Sequence, residues 1–174
     1  FNGSLENTGY GFDSLTAVSE ENLELIQLNE SLGYKMNSAT GIIIPEFILP
    51  LEQNKLKPFT VEIGLVFESL TKNSNILTIK TSDNTFYLDI KIDNNLTPEA
   101  DIYINSELFS VPSGISHLEL NKQYMLNLSV NPDNSGFNIM WFLNGETYSV
   151  SHINTSQAVI SSPGTATLSI NGII

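Results

Sequence analysis

The 174-residue sequence contains neither cysteine nor arginine. The lack of cysteine excludes disulfides, thiolate catalysis and zinc sites built on sulfur. All seven basic residues are lysines, and nineteen acidic residues bring the formal net charge to −12. Because such a surface repels polyanions, we expect neither nucleic acid nor an anionic membrane as a partner. No apolar run approaches the roughly 20 residues that a membrane-spanning helix needs, so membrane insertion is not expected either.

Catalytic and metal-binding patterns are also missing. His117 and His152 have neither a serine nucleophile motif nor an H-x-x-x-H spacing around them, and we interpret both as solvated. Calcium prefers hard oxygen ligands, yet the candidate aspartates form no D-x-D-x-D run and are interpreted as turn-capping residues. These candidates are Asp83, Asp93, Asp101 and Asp133. We therefore predict a protein that is not an enzyme and has no cofactor.

From residue 59 onward, apolar and polar residues alternate in short segments separated by Asn, Asp, Gly, Ser and Pro clusters. A period of two is typical of half-buried antiparallel strands. We predict strands at 59–67, 76–80, 85–92, 101–105, 123–130, 137–143, 146–151 and 165–170, the first three in a meander. Asn144-Gly145 predicts a two-residue type I′ hairpin, since both positions tolerate positive φ.

The first third of the chain is less regular. Residues 19–29 fit either a helix capped by Ser19 or strands around a bulge, and we favour strands because every neighbouring segment is β. Residues 40–45 predict a short strand that Pro45 ends. No linker or repeat interrupts the series, which predicts a single domain over residues 1–174. The first residue is Phe1 rather than Met, which indicates a piece of a longer polypeptide.

A dozen or so short strands joined by turns predict an all-β fold. Two packed antiparallel sheets or a closed barrel would both bury the apolar face of each strand. The alternation alone does not distinguish the sandwich from the barrel.

Several segments, in chain order, resemble the laminin G-like domains of the concanavalin A-like superfamily. They are Tyr34-Lys-Met-Asn37, Gly41-Ile-Ile-Ile-Pro45, Phe59-Thr-Val-Glu-Ile63, Leu118-Glu-Leu-Asn-Lys-Gln-Tyr124, Phe142-Leu-Asn-Gly-Glu146 and Ala166-Thr-Leu-Ser-Ile-Asn-Gly172. Gln123 departs from the pattern, because the family commonly has Trp there. The resemblance implies a jelly-roll, an antiparallel β-sandwich of two sheets whose first and last strands lie close together. It implies little about function.

Some enzymes of this fold carry a Glu-x-Asp-x-x-Glu pattern on one strand, which brings two carboxyl groups close enough for retaining glycoside hydrolysis. The nearest match here is Glu99-Ala-Asp-Ile-Tyr-Ile104, in which Ile104 replaces the third carboxylate. Pro98 just before it favours a loop position for Glu99. The pattern therefore does not predict a glycosidase.

If Phe59, Leu88, Leu128 and Leu143 point inward, alternation turns aromatic, amide and carboxylate side chains outward. A tyrosine ring packs on the apolar face of a pyranose, while amide and carboxylate oxygens accept hydrogen bonds from its hydroxyls. The same alternation points the Trp141 side chain into the core. The glycan-binding residues we predict are Tyr87, Asp89, Tyr103, Asn127, Met140 and Phe142.

The predicted function is that of a non-catalytic carbohydrate-binding module that recognises a cell-surface or cell-wall glycan. It would belong, with neighbouring domains, to a larger phage tail or baseplate protein, an adhesin or a secreted protein. We therefore expect an extracellular, cell-surface or virion location. The alternative is a structural or protein–protein interaction domain of the same fold that binds no glycan.

Overall fold

The computed structural model describes residues 16–17, 24–28, 31–36, 41–104, 106–155 and 165–171. Regular structure in these ranges is entirely β, and none of it is a helix long and apolar enough to cross a membrane. The strands are β1 (Thr16–Ala17), β2 (Glu24–Leu28), β3 (Ser31–Lys35), β4 (Gly41–Ile48), β5 (Leu51–Glu52), β6 (Lys55–Leu56), β7 (Phe59–Val66), β8 (Ser74–Thr81), β9 (Phe86–Ile92), β10 (Pro98–Ile104), β11 (Glu107–Pro112), β12 (Gln123–Pro132), β13 (Gly136–Leu143), β14 (Glu146–Asn154) and β15 (Thr165–Asn171).

Two antiparallel sheets make up the body of the molecule. One has seven strands in the order β1-β4-β15-β8-β9-β10-β11, and the other has four in the order β14-β13-β12-β7. Strands β2 and β3 form a separate hairpin, as do β5 and β6. Strand β15 lies between β4 and β8, so the closing strand lies beside an early one. The predicted two-sheet antiparallel sandwich is therefore confirmed.

The core lies between the two sheets. Phe86 and Leu88 of the seven-stranded sheet and Leu128 and Trp141 of the four-stranded sheet are all fully buried in one cluster. The rings of Phe59 and Phe86 meet edge to face across this layer, with centroids 6.4 Å apart. Burying each large apolar side chain contributes roughly 1.5–3 kcal/mol, which makes this layer the main source of stability. The prediction that Trp141 is a core residue is confirmed.

Local turn and strand chemistry agrees with the sequence in two places. Asn144 and Gly145 have φ angles of 52° and 84°, and they join β13 to β14 as the predicted hairpin. Residues 24–28 are a strand, as we favoured, and the rest of 19–29 lies outside the described residues.

Pro45 does not end its strand, because β4 continues to Ile48. The pairing of β15 with β4 shifts register between Ala166 and Leu168, opposite the segment that holds Pro45. A bulge tolerates a residue that lacks an N–H donor, so proline fits within this strand.

The predicted meander over residues 59–92 is wrong at its first strand. Strand β7 pairs with β12 in the four-stranded sheet, and the meander runs from β8 to β11 instead. Alternation specifies which side chains point inward but not which strands are neighbours. Strand β11 was not predicted. Leu108 is an apolar residue at an exposed position of this edge strand, so apolar and polar residues do not alternate regularly there.

Candidate functional site

The six predicted binding residues divide between the two sheets. Since the outer faces of a sandwich lie on opposite sides of the molecule, one site cannot contain all six. Alternation identified outward positions, but it does not tell which sheet a strand joins. Tyr87 and Asp89 of β9 and Tyr103 of β10 share the seven-stranded sheet, whereas Asn127 of β12 and Met140 and Phe142 of β13 share the four-stranded sheet.

Three pairs of residues stand directly opposite one another on β9 and β10. We call these six residues the polar face: Tyr87 opposite Tyr103, Asp89 opposite Asp101, and Lys91 opposite Glu99. The residues between them, such as Leu88 and Ile102, are buried in the core. Because side chains two residues apart in a strand share one side, all six project from the outer surface of the seven-stranded sheet.

Asp89 is the buried centre of the polar face, with only 4% of its surface exposed. Thr78 donates its hydroxyl to Asp89 Oδ1 at 2.6 Å, and the Tyr87 side chain lies beside the same carboxylate. Burial raises the pKa of Asp89 above its ordinary value, although the interactions with Thr78 and Tyr87 oppose the rise. Burial and the neighbouring Asp89 charge also raise the pKa of Tyr87, which keeps its hydroxyl protonated as a donor.

Lys91 joins the two acidic residues of β10. Its Nζ lies 3.3 Å from Glu99 Oε1 and also forms a close ion pair with Asp101 Oδ2. Ser110 of β11 donates to Asp101 Oδ1 at 2.5 Å. Burial would lower the pKa of Lys91, but hydrogen bonds and attraction from Asp101 and Glu99 outweigh it and raise the pKa. The ammonium therefore stays charged and engaged with both carboxylates.

A transverse row of side chains crosses four strands at one end of the polar face. Lys80 of β8 is opposite Tyr87, and Leu108 of β11 is opposite Tyr103. Neighbouring strands are about 4.8 Å apart, so the row is roughly 14 Å long. The two tyrosines at its centre are half-buried, and Lys80 and Leu108 at its ends are exposed. The row offers room for an oligosaccharide rather than a single sugar.

Beyond Leu108, a cleft of about 410 Å³ opens between β11 and β14, the edge strands of the two sheets. Ser110 lines this cleft and also bonds to Asp101, so the cleft is continuous with the polar face. His152 lies on its other wall, with Nδ1 3.0 Å from Asn138 Oδ1 and Nε2 3.3 Å from Ser135 Oγ. Both histidines of the chain are exposed, as predicted.

The outer surface of the four-stranded sheet has a different character. Met125, Met140, Phe142 and Val150 form what we call the apolar face, on which Val150 is 63% exposed. Met140 is opposite Val150 across β13 and β14. Asn127, the remaining predicted residue, donates its amide to Glu62 on the neighbouring strand β7. Its amide therefore links two strands of the sheet.

The four candidate aspartates have two different roles. Asp83, Asp93 and Asp133 accept hydrogen bonds from backbone N–H groups two residues further on, which is the turn-capping role we predicted. Asp101 pairs with Lys91 in the middle of β10 instead. In the ranges that the structure describes, no group of three or more His, Asp or Glu side chains could hold a metal ion.

Glu99 lies in β10 and not in a loop, which corrects our expectation. Pro98 is the first residue of the strand, a position at which proline is tolerated. Both carboxylates of the nearest glycosidase-like pattern, Glu99 and Asp101, are paired with Lys91. Ile104, which stands at the third position, is buried in the core.

No protein-family model matches the sequence, and neither does any curated protein. Solved structures do match. Domains LG4-5 of the mouse laminin alpha1 chain are 10% identical with a TM-score of 0.54, over 80% of this chain and 33% of that one. The CBM40 module of Ruminococcus gnavus IT-sialidase, bound to alpha2,3 sialyllactose, is 14% identical with a TM-score of 0.51, over 67% and 64%. The carbohydrate-binding module CBM66 from Bacillus subtilis is 12% identical with a TM-score of 0.47, over 91% and 88%.

This chain therefore spans a third of the laminin chain and just under two thirds of the CBM40 chain that it matches. Its fold is the concanavalin A-like jelly-roll, as the resemblance in the sequence implied. At such low identity the likeness concerns the fold alone.

Proposed function

We propose that this chain is a non-catalytic carbohydrate-binding module whose glycan site is the polar face. The observation that carries the proposal is the placement of Tyr87 and Tyr103 directly opposite each other, beside a row of hydrogen-bonding carboxylates. Aromatic rings cover the apolar faces of sugars, and polar groups at fixed positions select the pattern of sugar hydroxyls. Of the six predicted residues, Tyr87, Asp89 and Tyr103 remain in this site.

The hydrogen-bond network prepares the site before a ligand arrives. Tyr87 lies beside the buried Asp89, which Thr78 orients through a hydrogen bond. Asp101 is fixed from two sides by Lys91 and Ser110. Ordering side chains on binding opposes association, so a face that is already ordered binds more tightly than a mobile one.

The solved neighbours support a binding role by analogy of fold. One is a module bound to alpha2,3 sialyllactose, and another is a pair of laminin domains. We propose that this chain likewise serves as one module of a larger protein outside the cell, such as a phage tail or baseplate protein, an adhesin or a secreted protein. There it would recognise a cell-surface or cell-wall glycan. Catalysis is not proposed, since Lys91 is paired with both Glu99 and Asp101.

A glycan panel and whole bacterial cells test this function, with tyrosine fluorescence or calorimetry as the readout. Tyr103→Ala should weaken binding about tenfold or more, because it removes the stacking surface. Tyr148→Ala is the matched control, since Tyr148 is a 45% exposed tyrosine on the other sheet. Both variants should keep the wild-type unfolding midpoint. Equal losses in the two variants, or no binding by the wild type to the panel and to cells, would contradict the proposal.

The apolar face favours one alternative, a structural or protein–protein interaction domain. Val150 and Met125 are exposed apolar side chains on the same sheet, and contiguous apolar surface often marks a docking area. A protein partner whose binding is lost in Val150→Ser, together with an empty glycan panel, would favour this alternative.

A further inference from the structure

We propose that the polar face selects glycans that carry no acidic group. This inference rests on the proposed function and concerns the same site. Three carboxylates, those of Asp89, Glu99 and Asp101, share the face with one ammonium, that of Lys91. With these groups ionised, the charge of the polar face is −3 + 1, or −2, and the ammonium of Lys80 at its edge brings the excess on this surface to −1.

Lys91 is not available to an acidic ligand. Its ammonium contacts Glu99 and Asp101 together, and the three side chains are only 21%, 20% and 15% exposed. A carboxylate or sulfate on the sugar would have to displace one of these partners and leave it without its cation. Removing one partner of a shielded ion pair is unfavourable, so the pairing resists exchange.

Lys80 is the other ammonium on this face, opposite Tyr87 on β8. It is exposed to solvent, where water and salt weaken its attraction for an acidic ligand. The net charge of −12 for the whole chain adds a long-range repulsion in the same direction.

Neutral sugars can bind the polar face without competing for Lys91. Their hydroxyls both donate and accept, so they can bond to the outer lone pairs of Asp101 and Glu99 without disturbing the ion pairs. A unit charge on the ligand about 7 Å from one carboxylate changes affinity about threefold in water. The single excess charge therefore predicts a preference of roughly threefold for neutral glycans at low ionic strength.

The test uses matched glycan pairs that differ by one acidic group, for example lactose with 3′-sialyllactose, and neutral xylo-oligosaccharides with their glucuronylated forms. Calorimetry at low ionic strength should give about threefold tighter binding of the neutral member of any pair that binds. The preference should shrink when 0.5 M salt screens the charges. Equal or tighter binding of the acidic member would overturn the selectivity and leave the glycan-binding function standing. Failure of both members, across the panel and on cells, would overturn both.

Two variants test whether the charges of the polar face cause the preference for neutral glycans. Glu99→Gln removes one carboxylate from the polar face and should reduce the neutral-to-acidic affinity ratio about threefold. Glu62→Gln changes the chain's charge equally but lies on the opposite sheet, so its ratio should match that of the wild type. An unchanged ratio in Glu99→Gln, or the same change in both variants, would show that the Lys91 network does not set the preference.

Discussion

The two outer faces of the sandwich differ in the chemistry of their side chains and in how those side chains interact. On the polar face, Lys91 pairs with Glu99 and Asp101, and Thr78 bonds to the buried Asp89, beside two tyrosines. On the apolar face, methionine, phenylalanine and valine side chains stand beside polar links between strands, such as the one from Asn127 to Glu62. The first arrangement orients hydrogen-bonding groups toward a ligand, whereas the second offers area that association with another apolar surface would bury.

The two faces are on opposite sides of one hydrophobic core, and substitution of Trp141 tests whether that core lies between the two sheets. Trp141→Ala should lower the free energy of unfolding by about 3–5 kcal/mol, because the deletion leaves a large cavity between the sheets. The next residue, Phe142, points outward, and Phe142→Ala should cost far less. Urea unfolding of both variants measures the difference. A larger loss in Phe142→Ala than in Trp141→Ala would mean that the inward and outward positions on β13 have been exchanged.

Lys91 tests whether the polar face is held together by its charges. Lys91→Met leaves Glu99 and Asp101 without their cation and should destabilise the fold by about 1–3 kcal/mol, since the ion pairs are largely shielded. Lys122→Met breaks a solvent-exposed pair with Glu119 and should shift the unfolding midpoint much less. Chemical denaturation at low and high salt compares them. Equal effects would mean that the network adds no more than a surface pair does.

The strands and their buried faces were predictable from the sequence because alternation and turn chemistry are local signals, whereas the choice of a two-sheet jelly-roll over a barrel came from the resemblance. Asn144-Gly145 fixed one hairpin, and the period of two placed Trp141 in the core. Strand neighbours were not predictable in the same way, since β7 and β12 are separated by many residues and pair through the three-dimensional packing of both sheets. The edge strand β11 was missed because an edge position does not require a regular alternation.

The candidate site was predictable only in part for the same reason. Tyr87, Asp89 and Tyr103 come from a hairpin-connected pair of strands, so local pattern places them together. Asn127, Met140 and Phe142 also face outward, but on the other sheet. Lys91 lies two residues after Asp89 on the same side of β9, yet its double pairing with Glu99 and Asp101 depends on the exact register of β9 and β10.

Asp89 should give the polar face a distinctive dependence of stability on pH. Burial raises its pKa in the folded state above the ordinary value of 3.8. The folded state then binds the proton more tightly, so this contribution to stability is complete below pH 3.8 and is lost as pH rises through the folded pKa. Asp89→Asn should remove this decline, which is at most about 1.4 kcal/mol per pH unit. Thermal unfolding from pH 3.5 to pH 8 measures it.

Asp93 is the matched control, because its pKa moves the other way. Its burial would raise the pKa, but hydrogen bonds from Thr97 and Asn95 outweigh that and lower it. The contribution of Asp93 to folding stability is therefore present above pH 3.8 and is lost as pH falls through the folded pKa. Asp93→Asn should remove this loss of stability at acid pH. If Asp89→Asn and Asp93→Asn alter the pH profile in the same direction, burial does not raise the pKa of Asp89 in the folded state.

Val150 should show the smallest effect and tests the apolar face directly. It is 63% exposed, so Val150→Ser should change the free energy of unfolding by no more than about 0.5 kcal/mol. Binding of neutral glycans should be unchanged, because Val150 belongs to the sheet opposite the polar face. Calorimetry with the ligand that the wild type binds best measures this. A substantial loss of glycan binding in Val150→Ser, with Tyr103→Ala unaffected, would place the ligand on the four-stranded sheet and exchange the roles of the two faces.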